Sequence, residues 1–227
     1  MKVGIILTND ERSRAYLQKL QQQKILLDSY VLMNNAIEIE FSKEVISTSK
    51  KFGFDISEST KNTLLKNNIL FNEFNFLDIN HPKLINFLKE ENCDYFIFTA
   101  GGILKKDILN LPIKFIHMHP GIVPHYRGST CFYYSIINEQ SAGVTAFIMD
   151  KNLDTGNVIY QKKFEKPNHQ FIDEVYDPFI RSETLMDIFR NKLLEKNEFK
   201  KQNLENGETY FIIHPVLKHI AILNCIN

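Results

Sequence analysis

Two short runs carry the side chains best suited to moving a proton. One is His117-Met118-His119-Pro120-Gly121 and the other is Leu153-Asp154-Thr155-Gly156. The first closes the apolar run IKFIHMH, which reads as a strand. Residues two apart on a strand leave it on the same side, so His117 and His119 project together. Asp154 reaches them if its hairpin packs beside that strand. A carboxylate next to an imidazole orients the ring and raises its pKa, which is the geometry of a general acid/base with its helper. The expectation is that both side chains lie in a solvent-filled cleft. Two other readings suit the same residues. The imidazoles can be satisfying loop carbonyls, or two histidines and a carboxylate can hold a metal, as in mononuclear sites. For the metal, His-x-His alone is a weak signal and spacing offers no fourth ligand.

The elements that must position these residues alternate. Val3 to Leu7 is a short apolar run followed by the good N-caps Asn9 and Asp10 and by an amphipathic stretch, which spells strand, turn, helix. Ile25 to Met33 reads as a second strand, and SKEVISTSKKFGF as a helix opened by Ser42 and ended by Gly53. HPKLINFLKEEN is a helix with Pro82 in its first turn, feeding a third strand at Asp94 to Phe98. Such alternation predicts an α/β fold with a Rossmann-like, mostly parallel sheet and helices on both faces, in which ligands gather beyond the carboxyl ends of the strands. In the second half, CFYYSIIN reads as a short helix. VTAFIMD and NVIYQKKF pair as a hairpin across KNLDTG. Ile172 to Glu195 reads as a helical region interrupted near Pro178, and TYFIIHP as one more strand. The chain divides into a catalytic domain over 1–196 and a short C-terminal α/β extension over 197–227, which completes a sheet or a dimer interface.

The 227 residues are 44% hydrophobic and 24% charged, ordinary values for a globular protein with a sizeable core. Lys plus Arg and Asp plus Glu both number 27. With no cationic excess to hold a phosphate backbone, nucleic acid is not an expected partner. The three cysteines include no Cys-x-x-Cys pair and read as free thiols of a reducing cytoplasm. The five-residue apolar run near the start is too short for a secretory signal, and no run is long enough to span a membrane. The expected location is cytoplasmic.

In order and spacing, FIFTAGGILKKDIL, FIHMHPGIVPHYRGS and GVTAFIMDKNLDTGNVIYQKKF resemble the core of the folate-dependent formyltransferases, and nucleotide-sugar N-formyltransferases most. The resemblance implies N10-formyltetrahydrofolate as co-substrate and a catalytic set of Asn-x-His followed by an Asp in a Leu-Asp-x-Gly hairpin. The family's His falls on His119 and its Asp on Asp154. Where the family has Asn, this chain has His117. That Asn donates a hydrogen bond to the developing oxyanion, and such a donor is worth roughly 2.7 to 4 kcal/mol. His117 can replace it, since a ring N–H also donates. The resemblance further implies that main-chain groups of Gly102, Leu104, Asp150 and Lys151 hold the pterin, and that the site binds no metal.

The acceptor follows by comparison within the family. Thr8-Asn9-Asp10-Glu11-Arg12 has no glycine and two carboxylates, which counts against the phosphate of glycinamide ribonucleotide. Zero net charge, and a sequence that stops before the C-terminal barrel of the methionyl-tRNA enzymes, count against tRNA. The expected acceptor is an amine on a nucleotide-linked sugar, such as dTDP-4-amino-4,6-dideoxyglucose, as used for O-antigen and other surface polysaccharides. Tyr126 and Arg127 are the expected substrate contacts, by stacking and by gripping phosphate oxygens. A homodimer is the expected assembly. The alternatives are a metal-dependent or other hydrolase using His117, His119 and Asp154, or a folate or nucleotide-sugar binding relative whose catalysis His117 has impaired.

Overall fold

The branched apolar run Val3–Leu7 forms strand β1, buried along its whole length as a central strand of a parallel sheet must be. The computed structural model describes residues 1–34 and 39–226. Met1–His117 form one compact unit and the residues from Met118 onward another.

In the first unit β1 is followed by helix α1 (Glu11–Gln22), whose N-cap Asp10 accepts from the Ser13 N–H. Strand β2 (Ser29–Met33), helices α2 (Lys43–Lys51) and α3 (Thr60–Lys66), and strand β3 (Asn72–Phe74) come next. Helix α4 (Pro82–Glu90), strand β4 (Tyr95–Phe98), the single helical turn α5 (Lys106–Leu109) and strand β5 (Lys114–His119) complete it. The strands are parallel in the order β3-β2-β1-β4-β5. The register sets Phe98 of β4 opposite His117 of β5. Ser42 and Ser59 cap their helices as short hydroxyl side chains do, by accepting from the N–H three residues on.

Met118 and His119, the end of β5, belong to the second unit. Strand β6 (Tyr126–Gly128) and helix α6 (Cys131–Glu139) precede β7 (Ser141–Ile148) and β8 (Val158–Glu165), which pair antiparallel. A wide π-type turn at Ile172–Tyr176 leads into α7 (Asp177–Arg190), followed by the short α8 (Leu193–Lys196). Strand β9 (Glu208–Tyr210) lies parallel to β6, and α9 (Pro215–Ile226) ends the described chain.

The mostly parallel α/β sheet is the one the alternation implied. Four local readings changed. Strand β2 begins at Ser29 rather than Ile25, because residues 25–28 are spent turning back from α1. Strand β3 and helix α3 were not foreseen: β3 is three residues long and barely buried, so it carries no hydrophobic signature. Pro178 opens α7 instead of interrupting it, since proline needs no N–H in a first helical turn. The tail is a strand for only Glu208–Tyr210 and then helix α9. Among the described residues no helix is long and apolar enough to cross a membrane.

Candidate active site

His119 is the last residue of β5, and its side chain is 2% exposed. The ring packs near Phe147, with centroids 6.1 Å apart. Its Nε2 lies 2.8 Å from the carbonyl of Tyr126. A carbonyl can only accept, so this bond assigns a proton to Nε2. Nδ1 faces Oδ2 of Asp154 at 3.4 Å. Asp154 sits in the β7–β8 connection with a left-handed φ of +53°, a conformation that Asp tolerates better than most residues. The same Oδ2 accepts from the Gly128 N–H at 2.7 Å. Burial pushes the ring's pKa below the ordinary 6.5, opposed by the Asp154 carboxylate and the Tyr126 carbonyl. Arg181 lowers it further and Asp177 raises it.

The geometry therefore holds the imidazole between two acceptors, both of which stabilise the ring when it carries a second proton. The expected open cleft for both side chains is corrected in one respect: His119 is enclosed, and Asp154, with 12% of its side chain exposed, is the more open member. An enclosed ring loses competing water, which strengthens its interaction with the carboxylate.

A surrounding frame fixes this pair. Gly128 has φ +100°, and a Cβ there would stand 2.1 Å from the Tyr210 carbonyl, so only glycine lets β6 pair with β9 and still aim its N–H at Asp154. Tyr126 and Arg127, read from the sequence as substrate contacts, are 5% and 9% exposed. The Tyr126 ring stacks on Tyr210 with centroids 5.4 Å apart, and Arg127 Nη2 donates to the Gly207 carbonyl. Behind His119, buried Arg181 donates to the Met118 carbonyl at 2.7 Å and pairs with Asp177 at 2.8 Å. The turn after the histidine is tied down by Thr145, whose hydroxyl donates to the Gly121 carbonyl and accepts from the Val123 N–H.

A family profile described as Formyl transferase matches residues 33–186. The chain belongs to the formyl transferase family. A methionyl-tRNA formyltransferase of Caldanaerobacter subterraneus is 31% identical over 150 residues, 62% of this chain and 47% of that protein. The chain thus spans about half the length of this curated relative. Among solved structures, a sugar N-formyltransferase from Shewanella sp. superposes with TM-score 0.61 at 18% identity, covering 99% of this chain and 88% of that one. An N-formyltransferase from Helicobacter canadensis, solved with folinic acid and dTDP-3-aminofucose, gives TM-score 0.63 at 17% identity, with coverages of 100% and 80%. These two likenesses describe the fold.

In the first unit, Gly101 and Gly102 follow β4 and line a cavity of about 580 Å³ with Thr8, Asn9, Asp10 and Ala100. Gly102 has φ +101°, while the Leu104 side chain is buried. His117, in β5, is half-buried, its ring 6.2 Å from that of Phe98. In the second unit Asp150 and Lys151 are exposed at the hairpin tip. The Asp150 carboxylate accepts from the Asn152 N–H and the Thr155 hydroxyl, which shapes the loop that carries Asp154. Among the described residues no group of three or more His, Cys, Asp or Glu is placed to hold a metal ion. Sequence reasoning missed Gly128, Arg181 and Gln202. The Tyr-Arg-Gly run hinted at the first; nothing in a lysine- and asparagine-rich stretch hinted at the last.

Proposed function

We propose that this formyl transferase family member is an N-formyltransferase that moves a formyl group from N10-formyltetrahydrofolate to the primary amine of a nucleotide-linked amino sugar. The observation that carries the reading is the buried His119 ring held between the Tyr126 carbonyl and the Asp154 carboxylate. The cavity beside Gly101 and Gly102 in the first unit has room for a flat ring against bare backbone, which supports a pterin held there by main-chain groups such as those of Gly102. The folate, when bound, supplies the activated formyl carbon.

This chain's own groups supply the rest. Asp154, the more open member, receives the proton that the attacking amine sheds and is also the group through which it leaves again, since the enclosed ring faces only Asp154 and the Tyr126 carbonyl. His119 shares it through Nδ1 and returns it by way of that carboxylate toward the departing nitrogen. The charge formed on the ring is stabilised on both sides, by the Tyr126 carbonyl and the Asp154 carboxylate. His117 donates to the oxygen on which negative charge gathers, in place of the family's Asn. Tyr126 and Arg127 serve the reaction indirectly in this reading, by fixing the β6 segment that holds His119 and Asp154.

Zero net charge supports a small acceptor over tRNA. Synthesis of surface polysaccharide in the cytoplasm is the fitting context. A second copy is the partner we propose for the exposed apolar surface at Phe211, Ile212 and Val216 of the C-terminal segment, which are 81%, 80% and 59% exposed. The test is formylation of a panel of nucleoside-diphosphate amino sugars beside initiator methionyl-tRNA, with products read by mass. Turnover confined to one or a few sugars supports the reading. Preference for the tRNA, which the curated relatives make the chief rival, replaces it.

A further inference from the structure

The segment from Lys200 to Tyr210, read from the sequence as charged connector and tail, touches the site at three points. Lys200 and Val158 exchange backbone hydrogen bonds of 2.8 Å, fixing the segment to the start of β8. Strand β9 pairs with β6, which supplies both the carbonyl that holds His119 and the N–H that holds Asp154. Between these anchors lies Gln202, 9% exposed.

Its carboxamide Nε2 donates to the Asp154 carbonyl at 3.0 Å and to the Gly156 carbonyl at 2.8 Å. A carboxamide nitrogen has two hydrogens and each finds one carbonyl, so the flipped amide, with oxygen facing two carbonyls, is excluded. The two acceptors bracket Thr155. They are the main-chain groups of the left-handed residue Asp154 and of Gly156, at which a Cβ would stand 1.6 Å from the Ile148 carbonyl. Backbone in the left-handed region costs a non-glycine residue energy and persists where its surroundings hold it.

We propose that Gln202 is a positioning residue for formyl transfer, clamping the backbone of the Asp154 loop so that the carboxylate stays on the His119 ring. The proposal rests on the function proposed above for that pair. No shorter or branched side chain would supply two donors at this reach from the Lys200 anchor. Part of the active site is thereby built by the C-terminal segment.

Two variants test it in the full chain. Gln202→Met keeps the length and packing and removes both donors. A misplacement of about 1 Å in such a site costs on the order of a hundredfold in rate. We therefore expect kcat to fall about ten- to a hundredfold, with KM for the formyl donor nearly unchanged and thermal stability only slightly reduced. Gln202→Glu can donate only when its buried carboxyl is protonated, so its kcat relative to wild type should rise as pH falls. Wild-type kcat in both variants, with wild-type pH profiles, overturns the proposal. Loss of stability in both without loss of kcat in the folded protein does the same. NMR titration of His119, which Asp154, Arg181 and Asp177 face, needs no substrate. A lower ring pKa in Gln202→Met than in wild type supports the clamp, and an identical titration overturns it. A wild-type enzyme that formylates nothing refutes the functional reading, while the NMR comparison still judges the clamp.

Discussion

Asp154→Asn removes the charge that faces the buried ring, and with it the group that receives the amine's proton. The variant keeps the size and shape of the side chain and an oxygen that can still accept from the Gly128 N–H, now 2.7 Å away. It loses the negative charge 3.4 Å from His119 Nδ1, so the electrostatic loss worked here is the least that kcat should fall. For a full imidazolium–carboxylate pair at that distance the attraction is about 1 kcal/mol in water and about 5 kcal/mol at an effective dielectric constant near 20. The enclosed ring draws the value upward and the partial exposure of Asp154 draws it down, giving about 3 kcal/mol. If that stabilisation is realised when the ring takes the proton, kcat falls about a hundredfold, since each 1.36 kcal/mol is a factor of ten. The assay is steady-state release of tetrahydrofolate at saturating donor and acceptor, with thermal unfolding of the same preparations as a control. A kcat within threefold of wild type in a folded variant would refute the reasoning, because the carboxylate would then contribute no charge stabilisation to the reaction.

Three further outcomes follow from the same geometry. His117→Asn, which restores the family residue, should leave kcat within about tenfold of wild type; a gain of the full oxyanion contribution of roughly 2.7 to 4 kcal/mol would instead identify His117 as an impairing replacement. Gly128→Ala forces a side chain into the Tyr210 carbonyl and should cost stability together with activity, read as a lower unfolding midpoint and a fall in kcat; an unchanged midpoint would mean that the β6–β9 pairing is not rigid. Because the folded-state pKa of His119 lies below the unfolded value near 6.5, the unfolded chain binds more protons on acidification, so stability is complete above 6.5 and is lost as pH falls through the folded value. His169 shifts in the same direction by burial. His119→Gln, whose amide can still donate to the Tyr126 carbonyl, should therefore flatten only part of this acid loss, measured as unfolding midpoint against pH; an unaltered slope would place the ring's titration elsewhere.

The pairing of His119 with Asp154 was legible because strand periodicity and a hairpin are both written in local sequence, and the formyltransferase resemblance fixed which carboxylate to choose. Burial of the ring was not legible. It depends on Tyr126, whose carbonyl carries no side-chain signature, and on Phe147, which reads as ordinary strand core. Tyr126 and Arg127 were noticed for their chemistry, yet their exposure is decided by β9, a segment some eighty residues downstream. Such long-range pairing leaves no periodic trace in three residues. Gln202 is the extreme case: a lone amide among lysines and asparagines acquires its partners only when Lys200 is tied to Val158. The short strand β3 escaped for the opposite reason, since it is too exposed to show a hydrophobic pattern.

Formyl transfer from N10-formyltetrahydrofolate to a nucleotide-linked amino sugar, followed with wild-type protein and His119→Gln side by side, decides whether the buried ring moves the proton. The wild type should turn over many times and the variant should lose about 10² to 10⁴ in rate, the range for a positioned acid/base. Equal rates for the two, or no formyl transfer by either, would contradict that role.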